Sequence, residues 1–188
     1  MDFKAIAGQN LKILILSDGF PPLSNAGAEN IAYTIAHGYK KFAHEVTVIT
    51  IDKKMKRGEI KETVLDDLKV IYIGSHYDIR FVSYFSLYNP WTLKAIKSIL
   101  EANSFDIAHL HNVHIHISYS VISLLVKYNI KAVLTAHDAM SIDYGKFTQG
   151  ININDLSLNP KVKMTVNPIK TLLTYKKRYN PFRNLFIK

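Results

Sequence analysis

Residues 12–29 read KILILSDGFPPLSNAGAE, an apolar run followed by a turn and then by the start of a helical pattern. The apolar run is short and ends in Ser-Asp-Gly, residue types that favour turns. Such a run is typical of a strand that is buried on both faces, as in a parallel sheet. The sequence therefore predicts a buried first strand at about 12–17, a loop, and a helix at about 28–41.

The loop between this strand and this helix is stiff at its start and small at its end. Pro21 and Pro22 fix φ and remove two backbone donors, and Gly27 stands beside the predicted helix start. A small glycine-containing turn in this position can present backbone N–H groups to a phosphate. The residues by themselves leave open an ordinary strand-to-helix turn, in which Gly27 only relieves strain.

The composition is that of a globular protein with one strongly basic end. A chain of 188 residues that is 48% hydrophobic can form one domain with its own core. The absence of cysteine excludes disulfides and thiolate metal sites and fits a reducing compartment. We see no apolar run of the kind that a signal peptide or a membrane span needs. The net charge is +9, and residues 161–188 contain eight lysine and arginine residues and no acidic residue.

Strand-like and helix-like patterns alternate along the chain. After the first strand, further strands are predicted at about 46–51, 68–73, 105–112 and 130–136. Helices are predicted at about 28–41, 91–102 and 118–128. This order predicts an α/β fold, a Rossmann-like and mainly parallel sheet with helices on both faces.

Two segments between these elements carry their own predictions. Residues 53–61 are strongly charged and are predicted to form a solvated loop. Residues 76–90 are rich in aromatic side chains, and they form either one wall of a binding cleft or a buried patch. In the first helix, Ile31 and Ile35 are predicted to lie on the apolar face, beside alanines that allow close approach to the sheet.

Polar side chains cluster at the ends of three predicted strands. The side chains concerned are Asp18, His109, His111, Asn112, His137 and Asp138. In parallel sheets, ligands bind outside the carboxyl ends of the strands. The sequence therefore predicts a binding site along this edge of the sheet.

Four histidines that follow Asp106 raise the question of a metal site. His109 and His111 share a strand face if the strand persists, and His114 and His116 would then share another. Imidazole is a good zinc ligand, but this segment has no cysteine and its one close carboxylate is Asp106. We therefore predict that these residues do not bind a metal.

Four motifs support a resemblance to a known family. They are FPPLSNAGAE at 20–29, HEVTVIT at 44–50, FDIAHLHN at 105–112 and VLTAHDAM at 133–140. In this order and at this spacing, they resemble the motifs of the family-4 retaining glycosyltransferases, which have the GT-B fold. The resemblance covers about residues 11–140 and weakens toward the end of the chain.

The resemblance implies an architecture and a reaction. It implies that 1–188 is a single Rossmann-like domain, the N-terminal, acceptor-binding domain of a two-domain enzyme, with a core at about 11–140 and a loop and a basic helix in 141–188. The C-terminal donor-binding domain is not in these residues, and we expect the sequence to stop before the natural end of the domain. The implied enzyme is a glycosyltransferase that moves a sugar, with retention, from a nucleotide-diphosphate sugar to a glycan or a lipid-linked acceptor. No metal or other cofactor is implied, and this half alone is expected to be inactive.

The resemblance also implies roles for individual residues. Ala26 and Gly27 would hold the donor diphosphate through backbone N–H groups. The family has a Gly-Gly pair here, and the methyl group of Ala26 can crowd the phosphate. His137 would be the catalytic residue that contacts the transferred sugar. The acceptor side would be lined by His109, His111, Asn112 and Asp138.

Alternatives remain for the partners and for the function. The basic segment 161–188 is either a solvated helix face or a contact surface, for anionic lipid head groups at the cytoplasmic side of a membrane or for a lipid-linked or acidic acceptor. No nucleic-acid-binding motif is recognisable, so nucleic acid is not an expected partner. A nicotinamide-dependent oxidoreductase needs a Gly-x-Gly-x-x-Gly turn, which is missing here. The remaining alternative to the glycosyltransferase is a non-catalytic membrane- or partner-binding module derived from half an enzyme.

Overall fold

Six strands form one sheet in the computed structural model, which describes residues 10–137. The strands are β1 (Lys12–Ser17), β2 (Glu45–Asp52), β3 (Ile60–Leu65), β4 (Leu68–Gly74), β5 (Ile107–His111) and β6 (Lys131–Thr135). The helices are α1 (Gly27–Lys41), α2 (Val82–Phe85), α3 (Pro90–Ala102) and α4 (Ser120–Lys127), and a 3-10 turn at Ile79–Phe81 precedes α2. The strand order is β3-β4-β2-β1-β5-β6, and every neighbouring pair is parallel except β3 and β4. The predicted α/β fold is confirmed.

The helices cover both faces of the sheet, as the sequence predicts. Helix α1 packs on the face that carries Ile13 and Ile15, while α3 and α4 pack on the face that carries Leu14 and Leu16. Successive side chains of a strand point to opposite faces, so a strand covered on both sides needs apolar residues throughout. This explains the unbroken apolar run of β1. No helix within residues 10–137 is both long enough and apolar enough to cross a membrane.

Helix α1 lies against the sheet through its alanines. Ala32 and Ala36 are fully buried, whereas Ile31 is 46% exposed. The prediction that Ile31 lies on the buried face is therefore wrong. Small side chains allow the helix to approach the sheet closely, and the contact face is centred on Ala32 and Ala36, which turns Ile31 toward solvent.

Strand β3 is an element that the sequence analysis does not predict. The charged stretch 53–61, predicted as a loop, leads into this strand, which pairs antiparallel with β4 at the edge of the sheet. Its side chains are exposed or half-buried, with Val64 72% exposed, so it lacks the apolar run that identifies the central strands. The tight turn to β4 is made by Asp66 and Asp67, both with positive φ, a conformation that aspartate tolerates in hairpin turns.

The direction in which successive strands are added to the sheet reverses at β1. The connection through α1 leads to β2 on one side of β1, and β5 pairs with its other side. Ligands in such sheets bind outside the carboxyl ends of the strands at this kind of reversal. Here the Asp18 N–H donates to the Asn112 carbonyl oxygen at 3.1 Å, which ties together the segments that follow β1 and β5.

Two glycines give a matched test of the packing because their surroundings differ. A Cβ added at Gly74 would overlap the carbonyl oxygen of Lys56, whereas a Cβ added at Gly38 would meet no atom within 4 Å. We expect Gly74→Ala to lower the free energy of unfolding by about 2–3 kcal/mol. We expect Gly38→Ala, inside α1, to raise it by about 0.5–1 kcal/mol. Chemical denaturation measures both, and a Gly74→Ala variant as stable as the unsubstituted protein would contradict the close approach of Lys56 to β4.

Candidate functional site

Most of the predicted site residues lie along the carboxyl edge of the sheet. Gly27 begins α1 after the loop that follows β1. His111 is the last residue of β5, Asn112 follows it, and His137 lies two residues beyond β6. Gly27, His111, Asn112 and His137 therefore all lie on this edge. Asp138 lies outside the described residues, and its predicted acceptor contact stays a prediction.

The start of α1 is open to solvent. Ala26, the residue before the helix, has φ −76° and ψ 172°, and its side chain makes no capping hydrogen bond. Gly27 is exposed, and a Cβ added there would meet no atom within 4 Å. Glu29 of the first turn folds back against Gly19 and accepts a hydrogen bond from the Ser24 hydroxyl at 3.3 Å. The exposed part of this positive helix end is therefore made of small, uncharged residues and can accept an anion.

His111 and His137 form a hydrogen-bonded pair of imidazoles. His111 Nδ1 lies 2.9 Å from His137 Nε2, and the ring centroids are 5.2 Å apart at an interplanar angle of 29°. His111 is fully buried, whereas His137 is partly buried and lines a surface depression together with Asn112 and Thr135. The pair thus joins a buried ring to a ring that a ligand can reach.

His109 lies deeper than the sequence analysis predicts. It shares the β5 face with His111, as predicted, and the two ring centroids are 4.2 Å apart. However, the strand continues to His111, so His109 is not at its end, and it is 6% exposed. Its Nδ1 lies 3.0 Å from the Tyr39 hydroxyl and its Nε2 lies 2.7 Å from the Thr135 hydroxyl. Both ring nitrogens are occupied within the protein, so the predicted acceptor contact of His109 finds no support in its position.

The buried imidazoles are held neutral. Burial, together with smaller contributions from the neighbouring rings of His109 and His137, lowers the pKa of His111 to about 3. Burial also lowers the pKa of His109, again with a contribution from His137. At neutral pH these two side chains can therefore donate or accept hydrogen bonds, but they do not supply positive charge.

Asp18 anchors the turn after β5, a role that the sequence analysis does not assign to it. Its carboxylate accepts hydrogen bonds from the N–H groups of Ile115, His116 and Ile117 at 2.7, 2.8 and 2.7 Å. The side chain is almost fully buried, and burial raises the pKa of Asp18 to about 6 even though the three N–H groups act in the opposite direction. An acidic residue directly after a buried strand is the sequence signal for this anchor, but its partners lie almost one hundred residues away.

His116 takes part in a separate buried network. Its Nδ1 lies 3.1 Å from the Ser75 hydroxyl, and the Asn89 amide donates to both the Ser75 oxygen and the His116 carbonyl oxygen. The predicted strand face shared by His114 and His116 does not exist, because β5 ends at His111 and the chain turns. Among residues 10–137, no group of three or more histidine or acidic side chains could hold a metal ion.

The aromatic segment 76–90 combines the two alternatives that the sequence leaves open. Tyr77 is half-buried and its ring contacts His116, with centroids 4.6 Å apart. Phe81, Tyr84 and Tyr88 are instead 51%, 52% and 61% exposed. One side of the segment therefore completes the core, and the other presents aromatic side chains to solvent.

Comparisons with known proteins agree with this architecture. The sequence model of a family described as Glycosyltransferase Family 4 matches residues 25–173. No curated protein matches the sequence. Among solved structures, the chain resembles the catalytic domain of Starch Synthase IV from Arabidopsis thaliana bound to ADP and acarbose, with a TM-score of 0.50 and 15% identity. The match covers 70% of this chain and 35% of that chain, so this chain spans about a third of that relative's length.

The Asp18 anchor can be tested by a single substitution. Asp18→Asn replaces one acceptor oxygen with an N–H donor that faces backbone N–H groups, so we expect a loss of about 2–3 kcal/mol in the free energy of unfolding. The amide hydrogens of Ile115 to Ile117 should also exchange faster with solvent. Asp52→Asn is the matched control, because Asp52 accepts a solvent-accessible bond from the Lys54 N–H, and we expect it to cost less than about 0.5 kcal/mol. Equal costs for the two variants would contradict the anchor.

Proposed function

The chain belongs to glycosyltransferase family 4, and on this premise we propose that it is the acceptor-side domain of a retaining glycosyltransferase. The enzyme would move a sugar from a nucleotide-diphosphate sugar to a hydroxyl of a glycan or of a lipid-linked glycan. One observation carries the proposal: the open start of α1 and the accessible ring of His137 lie on the same carboxyl edge, on either side of the end of β5. Neighbouring strands are about 5 Å apart, so β1 and β6, on either side of β5, are about 10 Å apart. The start of α1 follows β1 through the loop 18–26, and His137 lies two residues beyond β6.

The donor diphosphate would bind at the start of α1. Backbone N–H groups at Gly27 and in the first helical turn point out of the helix end, and no side chain of Ala26 or Gly27 blocks them. The methyl group of Ala26, in place of the family's glycine, is exposed and leaves the Gly27 position open. The starch synthase domain is bound to ADP and acarbose, which supports a nucleotide-sugar donor and a glycan acceptor for this chain too.

His137 would contact the transferred sugar. Its ring lines the depression beside Asn112, and a ring N–H there can donate to a sugar hydroxyl or stabilise charge that develops near the reacting carbon. Asn112, with φ 43°, turns the chain away from the sheet directly after β5 and leaves room for the acceptor. In this proposal His111 acts behind His137, and the diphosphate is held by N–H groups and basic side chains without an obligatory metal or other cofactor.

A matched pair of substitutions at Gly27 tests the donor site. Proline is well tolerated at the first position of a helix, and Ala26 already has the extended conformation that a following proline requires, so Gly27→Pro should fold while removing one N–H. Gly27→Ala keeps that N–H. We expect Gly27→Pro to weaken the binding of a nucleoside diphosphate about tenfold or more, since a hydrogen bond to a charged group is lost.

Binding is measured by titrating UDP, ADP and GDP, at millimolar concentrations, into the chain and following amide chemical shifts. Perturbations centred on the first turn of α1, with Gly27→Ala close to the unsubstituted chain, would support the proposal. Equal affinities of Gly27→Pro and Gly27→Ala, or perturbations only at the opposite edge of the sheet, would refute it. Efficient sugar transfer by the 188-residue chain alone would contradict its assignment as half of the enzyme.

We also propose peripheral contact between the basic segment 161–188 and an anionic, cytoplasmic membrane surface, although this segment lies outside the described residues. Each basic side chain near such a surface contributes about 1 kcal/mol, so replacing Lys176, Lys177 and Arg178 with alanine should weaken vesicle binding about a hundredfold. Replacing Lys53, Lys54 and Lys56 makes the same charge change elsewhere and should have little effect. Sedimentation with phosphatidylserine vesicles over a salt series measures this, and no binding at low salt would remove the membrane contact.

A further inference from the structure

The chemistry of His137 depends on which of its ring nitrogens carries a proton. Its Nε2 is already engaged, 2.9 Å from His111 Nδ1, so Nδ1 is the nitrogen left for a ligand. In a neutral imidazole one nitrogen donates and the other accepts, and the bond made at one nitrogen fixes the state of the other. The direction of the hydrogen bond between the two histidines therefore decides whether His137 offers a ligand an N–H donor or a lone pair.

The surroundings of His111 indicate this direction. Its Nε2 is buried and has no hydrogen-bond partner among residues 10–137. If Nε2 carried the proton, the protein would bury an unpaired N–H donor, whereas a proton on Nδ1 leaves only an unpaired acceptor. Among buried backbone groups, unpaired N–H donors are rarer than under-satisfied acceptors, and we apply the same preference to this imidazole. The proton of His111 is therefore best placed on Nδ1, where it is donated to His137 Nε2.

We propose that His111 is a positioning residue that holds His137 as the tautomer protonated on Nδ1. His137 then presents a neutral N–H donor to the surface depression and not a base. The use of this donor on a sugar rests on the proposed function, but the tautomer itself does not, because it follows from contacts within the chain.

The position of His111 is itself restrained on two sides. It is the last residue of β5, opposite Ser17 of β1 and Thr135 of β6, so its backbone is fixed by both neighbouring strands. Its ring packs against that of His109, which is in turn bonded to Tyr39 and Thr135. A buried ring held in this way can fix the orientation of a partly exposed one.

The tautomer can be read from proton–nitrogen correlation spectra of the 188-residue chain with isotopically labelled histidine, because protonated and bare ring nitrogens differ widely in chemical shift. His44 supplies an internal reference for the other tautomer, the one protonated on Nε2. The Leu11 N–H donates to His44 Nδ1 at 3.3 Å, so the neutral ring of His44 must carry its proton on Nε2. His137→Gln assigns the signals of His137 by their loss. We expect His137 Nδ1 to be protonated and Nε2 to be bare at neutral pH. The opposite pattern would overturn the proposal.

Two variants test whether His111 is the cause. The amide nitrogen of asparagine can take the place of an imidazole Nδ1, so His111→Asn should keep a hydrogen-bond donor for His137. His111→Leu removes that donor. Both variants lose the ring that packs against His109, so this loss is matched between them. We expect His137 to stay protonated on Nδ1 in His111→Asn and to shift mainly to Nε2 in His111→Leu. An unchanged His137 in a folded His111→Leu would overturn the proposal, and if neither variant folds, the unsubstituted chain decides. These spectra need no ligand, so their outcome is independent of nucleotide binding at Gly27.

Discussion

Three backbone N–H groups on the turn after β5 converge on the carboxylate of Asp18, which follows β1, and the geometry of the candidate site depends on this contact. A buried carboxylate needs such partners, because it has lost its hydration, and a turn with three inward N–H groups needs an acceptor. The buried Asp18 carboxylate and the turn after β5 therefore each supply the hydrogen-bond partners that the other needs. The ladder between β1 and β5 sets the spacing of the two strands. The Asp18 contact then holds the turn after β5 against the segment that follows β1 and leads to α1.

The histidines illustrate a second constraint, the cost of burying ionisable groups. His109 and His111 lie within the sheet, where positive charge would be poorly solvated, and their lowered pKa values reflect this. Hydrogen bonds compensate for the lost hydration: His109 is hydrogen-bonded to Tyr39 and Thr135, and His111 is hydrogen-bonded to His137. Hydrogen bonds between neutral rings fix orientation and tautomer without introducing charge.

The sequence predicts those parts of the molecule that depend on local pattern. The apolar run of β1 and the polar residues after β5 and β6 are enough to place the candidate site on one edge of the sheet. The pattern does not predict β3, whose exposed edge position removes the apolar signal. Nor does it predict the partners of His109, which are 70 and 26 residues away and depend on the position of α1 and on the register of β5 with β6. Contacts of this kind follow from tertiary packing, which no short window of sequence contains.

The two sides of the carboxyl edge offer a ligand different kinds of interaction, and this division follows from their structures. At the start of α1, aligned peptide dipoles favour negative charge, so this side suits a diphosphate. At His137, the partner ring of His111 is neutral, so this side offers directional hydrogen bonds and little net charge. The sugar-diphosphate portion of the proposed donor has the matching asymmetry, with charge on the diphosphate and neutral hydroxyls on the sugar. Binding along this edge in one orientation would therefore satisfy both ends, while the reverse orientation would leave the diphosphate without the helix end.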